Sequence, residues 1–284
     1  METKKVLPIG FKWNGQTIRS FNVNLIDGFI ERVIHNEQMR ADRPQTWMAS
    51  VLSALLHDLN GVMVSSDFVA SGKVPEIVKA LPLQDAGLVL MYGHTDTFGS
   101  VLKKQEAKCP HCRAQNSNLE IDLSELKRPA ASESIIETVE AQLPRGWKRL
   151  LDGKAGQKEL GWENEVFNRF VFGVPTVGDA IRNEPHYSPA RVLDFNARIL
   201  NDQLQRVYAS ATKFVMPNEV FESYKAGFMF FADRGGLYAD DRMAIRDAMN
   251  GLPQVDLVAQ TVCGHCSRTF DLGVRLDSFF PVAS

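Results

Sequence analysis

Four cysteines, with no fifth, fall into two equally spaced pairs, Cys109-Pro-His-Cys112 and Cys263-Gly-His-Cys266. A two-residue spacer lets one tight turn aim both sulfurs of a pair at the same point, and each pair carries a turn-favouring Pro or Gly after its first cysteine. Each pair is therefore half of a four-thiolate site. Residues 113 to 262 lie between the halves, against the roughly 15–20 residues of a compact ribbon. The chain must leave one half-site, build something large and return to close it.

Such a donor set suits one tetrahedral Zn2+, with Cys109, Cys112, Cys263 and Cys266 as ligands. Four protein thiolates leave no open position for water, so the expected ion is structural, one per chain. Three other readings compete. A redox dithiol uses one CxxC at the start of a helix, whereas both pairs here run into strand-like sequence. Structural disulfides require an oxidising compartment, and the opening METKKVLPIGFKW shows no apolar signal region. Four unrelated buried thiols would not be expected to share one spacing.

Both pairs sit in the same local frame. After Cys112 the apolar residues alternate through Asn118 to Leu123, and after Cys266 through Phe270 to Leu276. Val101 to Lys108 and Val255 to Val262 supply partner strands ahead of each pair. Two hairpins clamped by one ion make a zinc ribbon split by an insertion. His111 and His265 lie inside the knuckles, where they shape the turns or meet solvent.

The rest reads as α+β. Residues 1–100 form an N-terminal strand-and-helix domain, 101–126 with 255–284 the split ribbon, and 127–254 an inserted linker and helical domain. Val6 to Trp13 and Thr17 to Leu25 read as strands about the hairpin dipeptide Asn14-Gly15. Trp47, Val51, Leu55 and Leu59 mark one helix face, with Asn60-Gly61 as its stop. A short helix opens at Pro75, and another stripe runs from Asp85 to Phe98. In the insertion, Ile135, Ile136, Val139 and Leu143 space as an amphipathic helix, Val166 to Val171 as a strand, and helices are expected near 190–208, 217–231 and 238–250.

Charge and motif exclude several functions. A net charge of −2 gives no general pull toward nucleic acid or anionic membrane. Apolar runs such as Gly87 to Tyr92 fall far short of the roughly 18 residues of a membrane span. The one basic run, Arg145, Lys148, Arg149, Lys154 and Lys158 around Trp147, reads as a solvated loop face. There is no HExxH, GxSxG or phosphate-binding glycine loop: Gly72-Lys73 has Asp67 where the first Gly should stand and is followed by Val74. His94-Thr95-Asp96 is only suggestive, and a non-enzyme is expected. A zinc-ribbon adaptor for nucleic acid remains the alternative, although its tips would carry only Arg113 and Arg268.

The order of features resembles the baseplate hub assembly proteins of T-even-type phages. The likeness rests on the N-terminal strands, Leu81-Pro-Leu-Gln-Asp-Ala-Gly-Leu88 with Phe98-Gly99, the two CxxC pairs, and the closing Ser278-Phe279-Phe280-Pro281. It covers most of the chain, leaving 127–162 and 183–190 unmatched. It implies the four cysteines as metal ligands, no catalysis, and a role as hub component or hub assembly chaperone in contractile-tail morphogenesis. Partners would be other baseplate hub or tail proteins, met in the host bacterial cytoplasm, with the tail baseplate as a second location. Adjacent Phe279 and Phe280 are the expected partner-binding residues, one packed on the ribbon and one free to dock. Phe228, Phe230 and Phe231 are further aromatic candidates.

Overall fold

The computed structural model describes residues 5–148, 166–184, 239–274 and 279–280. The fold is α+β, and its ladders are antiparallel among these residues. Two compact units divide the chain: Met1–Ile135 with Thr176–Ile181 and Pro253–Ser284, and Ile136–Pro175 with Arg182–Leu252.

The first unit opens with β1 (Lys5–Trp13) and β2 (Gln16–Val23), joined at Asn14-Gly15. Both turn residues are left-handed, φ 47° and 77°, the backbone of a primed hairpin turn. Helices α1 (Gly28–Ile34), α2 (Glu37–Asp42) and α3 (Pro44–Leu55) follow. The side chain of Asp27 caps α1 by accepting from the Phe29 and Ile30 amides, and Pro44 starts α3 where its missing N–H costs nothing. Every residue of α3 from Ala49 to Leu55 is buried, and the Trp47 Nε1–H donates to the Ile34 carbonyl at 3.0 Å.

After Leu55 the chain departs from the expected helix. Leu56–Leu59 is strand β3, paired with β2 through Phe21↔Leu59, and it returns through Asn60-Gly61 into β4 (Val62–Met63). Asn60 and Gly61 have φ 52° and 84°, so this dipeptide is a second hairpin turn and not a helix stop. The four strands lie in the order β1-β2-β3-β4. Helices α4 (Ser65–Ser71), α5 (Glu76–Lys79) and α6 (Leu83–Phe98) complete the fold of this region. Gly93 lets α6 approach α3 closely, since a Cβ there would stand 3.0 Å from Leu55.

Helix α6 also carries the most consequential buried charge in this unit. In β1 the ladder breaks between Val6 and Phe11, and the freed N–H groups of Ile9 and Gly10 donate to Asp85 Oδ1 and Oδ2 at 3.0 and 2.8 Å. Burial raises the Asp85 carboxyl from 3.8 to about 6, against the two amides and Arg19, which lower it. The folded protein thus holds this proton up to about pH 6, while the unfolded chain releases it near 4. Its stabilisation is present below pH 4 and is lost as pH rises through 6, worth about 3 kcal/mol for two pH units. Denaturant titrations from pH 4 to 7 should show this loss, and Asp85→Asn, which cannot titrate, should flatten it.

The hairpins β5 (Val101–Lys108) with β6 (Gln115–Asp122), and β9 (Val258–Val262) with β10 (Thr269–Gly273), belong to the same unit. Helix α7 (Val177–Asn183) begins here too, with a Thr176–Asp179 capping box and the Val177 amide on the Leu81 carbonyl.

The second unit contains β7 (Thr138–Lys148) paired with β8 (Val166–Gly173), and helix α8 (Ala239–Asn250) against β7. The helix expected from Ile135 to Leu143 is absent, and from Thr138 onward its residues are strand β7: Ala141 and Leu143 are buried at period two, and Pro144 and Gly146 disfavour a helix. The expected helix near 238–250 is present as α8. Those near 190–208 and 217–231 lie outside the described residues.

Candidate metal centre

Each CxxC pair occupies the turn of its hairpin, and the two turns are built alike. The Cys109 amide donates to the Ala114 carbonyl and the Arg113 amide to the Cys109 carbonyl, both at 2.9 Å. In the other turn, the Cys263 amide donates to Arg268 at 3.0 Å and the Ser267 amide to Cys263 at 2.9 Å. Arg113 and Ser267 are left-handed, φ 64° and 55°. Neither is Gly or Asn, so nothing in the sequence marked them.

These turns bring all four sulfurs within 4.8 Å of one another. Cys109 Sγ lies 3.8 Å from Cys266 Sγ, and Cys112 Sγ lies 3.6 Å from Cys263 Sγ. A tetrahedron with metal–sulfur bonds of about 2.3 Å has edges of about 3.8 Å. Pairs from opposite hairpins thus already stand at the separation that one shared ion requires. The four cysteines expected as ligands are brought together, and the cluster can hold one metal ion such as zinc.

Two polar contacts tie the halves together besides the sulfurs. Asn116, buried in β6, accepts from the Gly264 amide at 2.9 Å, and His111 Nε2 meets the Thr269 carbonyl at 3.2 Å. Asn116 carries no sequence signal: by alternation it shares the face of the exposed Asn118 and Glu120, and it is buried where the ladder shifts register between Leu119 and Asn116, with Asn118 at φ 59°. Beneath the site Cys109, Cys263 and Phe270 form a small apolar cluster with Ala107, Leu119 and Cys266.

The thiols are unequal. Burial raises Cys263, but the amides of Cys266 and His265, with the Cys112 thiol, bring it down to about 6. At Cys112 the Ala114 amide lowers the pKa, yet lost hydration and the three neighbouring cysteines leave it at about 11. Metal uptake must displace the protons held here.

Other sequence candidates do not converge on a site. His94 is buried with Nδ1 at 2.5 Å from the Phe279 carbonyl, Thr95 Oγ1 bonds the Tyr92 carbonyl, and Asp96 pairs with Lys5 Nζ at 2.6 Å. Burial, opposed by the Phe279 contact, lowers the His94 pKa. Of the basic run, Arg145 pairs with Asp240 at 2.8 Å, while Arg149, Lys154 and Lys158 lie outside the described residues, as do Phe228, Phe230 and Phe231.

Phe279 and Phe280 require a correction. Their relative exposures are 0% and 2%, and both belong to the core that includes Leu52, Leu55 and Val89. The expectation of one free ring assumed a strand with alternating faces. These residues are not in a strand of the fold, and neither ring is exposed.

Comparison with protein-family models, curated proteins and solved structures returns no match for this chain. No helix among the described residues is long and apolar enough to cross a membrane.

Proposed function

We propose that the chain is a non-catalytic binding protein locked by one structural zinc ion, and that it serves in assembly of a contractile tail as a baseplate hub component or hub assembly chaperone. The observation that carries the zinc reading is the meeting of four cysteine sulfurs within 4.8 Å from two hairpins far apart in sequence. A soft cation takes four thiolates in this geometry, and the saturated shell leaves no position at which a substrate or water could be activated. Its contribution is rigidity: two hairpin turns far apart in sequence become one fixed surface.

The tail-assembly reading is supported by the resemblance in the order of strands, helices and CxxC pairs to T-even-type hub assembly proteins. Its partners are proposed to be hub or tail proteins, met in the host bacterial cytoplasm, and it requires neither nucleic acid nor membrane. Co-expression of the full chain with baseplate hub proteins of its own tail system should yield a complex that survives affinity purification. Failure to retain any hub protein, together with submicromolar binding of DNA or RNA at physiological salt, would replace this reading with the nucleic-acid adaptor.

A further inference from the structure

The two hairpins at the start of the units share one irregularity. In β1 the chain runs from Val6, paired with Ser20, to Phe11, paired with Ile18. In β7 it runs from Gln142, paired with Arg169, to Trp147, paired with Phe167. Each long strand advances five positions while its partner advances two. The rungs outside the bulge also agree: Lys5↔Phe21 and Lys12↔Thr17 in one, Ala141↔Phe170 and Lys148↔Val166 in the other.

The bulging sequences are Leu7-Pro8-Ile9-Gly10 and Leu143-Pro144-Arg145-Gly146. Proline withdraws one N–H from the ladder, and the glycine admits a tight backbone; at Gly10 φ is +66° and a Cβ would stand 2.8 Å from the Ile18 carbonyl. Each bulge donates to an aspartate at the third position of a helix. Ile9 and Gly10 donate to Asp85 of α6, and the Arg145 amide donates to Asp241 of α8 at 2.9 Å.

The correspondence extends in both directions. Phe21 and Phe170 occupy the same rung, and from each a helix of seven residues begins at the same distance, α1 at Gly28 and α7 at Val177. After α6 and after α8 comes a CxxC hairpin with the turn bonds already described. Each hairpin closes identically at its far end, Leu123 amide to Ser100 carbonyl and Val274 amide to Leu257 carbonyl, both 2.7 Å. The second hairpin is three residues shorter in each strand.

A bulge, a buried aspartate or a knuckle can arise independently. Their recurrence in one order, with the same register and the same backbone bonds, is what a duplicated module leaves behind. We infer that the chain is two copies of one module, one running from β1 to Leu123 and the other from β7 to Val274. Each copy contributes one knuckle, so the four-cysteine site is the meeting of two copies of one half-site. Asp85 and Asp241 are the equivalent positioning residues, each holding its module's bulge on its helix.

The test is residue-resolved amide exchange by NMR on the full chain with Asp85→Ala and Asp241→Ala. Asp85→Ala should speed exchange at Ile9 and Gly10 about tenfold or more, and Asp241→Ala should do the same at Arg145, as expected for losing a buried charge-assisted bond. Asparagine at either position should recover part of the protection, because its Oδ1 still accepts one amide. Should Asp241→Ala leave Arg145 at its wild-type rate while Asp85→Ala frees Ile9 and Gly10, the joints are not equivalent and the duplication is overturned. If an alanine variant does not fold, the asparagine pair decides by the same comparison. The readout involves no metal, so a protein found without zinc would count against the function proposed above and leave this inference standing.

Discussion

Cys263→Ser is expected to purify without stoichiometric zinc and to loosen both cysteine hairpins together, whereas the wild-type chain is expected to carry about one zinc per molecule. Each CxxC supplies only two ligands, so loss of one sulfur from the second hairpin also releases the first. The far ends of the hairpins are anchored in the main core, through Leu102 and Ile121 in one and Val274 beside the other, so the zinc matters most near the turns. There a two-stranded ribbon is marginal by itself in water, and the apolar cluster under the site has Cys109, Cys263 and Phe270 as its buried members among the described residues. Structural zinc contributes about 10–16 kcal/mol in small zinc-folded peptides at neutral pH, far more than the Asn116–Gly264 bond, about 1 kcal/mol. Metal analysis of reduced protein, and amide exchange at Cys109 and Cys263, would check the result. Acid should act as the substitution does, because protons compete for the thiolates and zinc leaves as pH falls. Normal zinc content in Cys263→Ser, or unchanged exchange in the first hairpin, would show that the halves are not coupled through one ion.

The site was legible in the sequence because its information is local: spacing within each pair, and alternation after it, are read without knowing what lies between. The N-terminal hairpin was legible for the same reason, Asn14-Gly15 lying between alternating strands. The identical dipeptide Asn60-Gly61 misled because Leu55 and Leu59 prolong the helical stripe of α3. What ends the helix is pairing of Leu59 with Phe21, a contact across the chain that periodicity does not encode. Residues 135 to 143 show the converse. Ile135, Val139 and Leu143 fit a helix face, and the small Ala141 hid the period-two alternation of β7. The duplication inferred above is hard to read from sequence because its strongest marks are a bulge register and the hydrogen bonds from that bulge to a distant carboxylate. Leu-Pro-x-Gly and a distant Asp acquire meaning only once the hydrogen bonds join them.

Phe279→Ala and Phe280→Ala should both lower stability, Phe280→Ala by more than Phe279→Ala. Full burial of each ring, 0% and 2% exposed, places both in the regime where Phe→Ala in a core costs about 3–5 kcal/mol. Phe279 has a second tie, its carbonyl against His94 Nδ1 at 2.5 Å and its ring 6.2 Å from the imidazole. Alanine keeps the carbonyl but opens a cavity beside His94, whose Nε2 is buried without a hydrogen-bond partner. Water entering that cavity could satisfy Nε2 and recover part of the loss, so Phe279→Ala should fall at the lower end of the range and Phe280→Ala at the upper. Urea titration of the full chain, with the slope checked for two-state behaviour, measures both. A loss below about 1 kcal/mol for either ring would place it outside the core and restore it as a docking residue. With losses of the expected size, any failure of these variants to bind a hub protein would follow from lost stability, and the surface for the proposed partner would be sought on exposed residues.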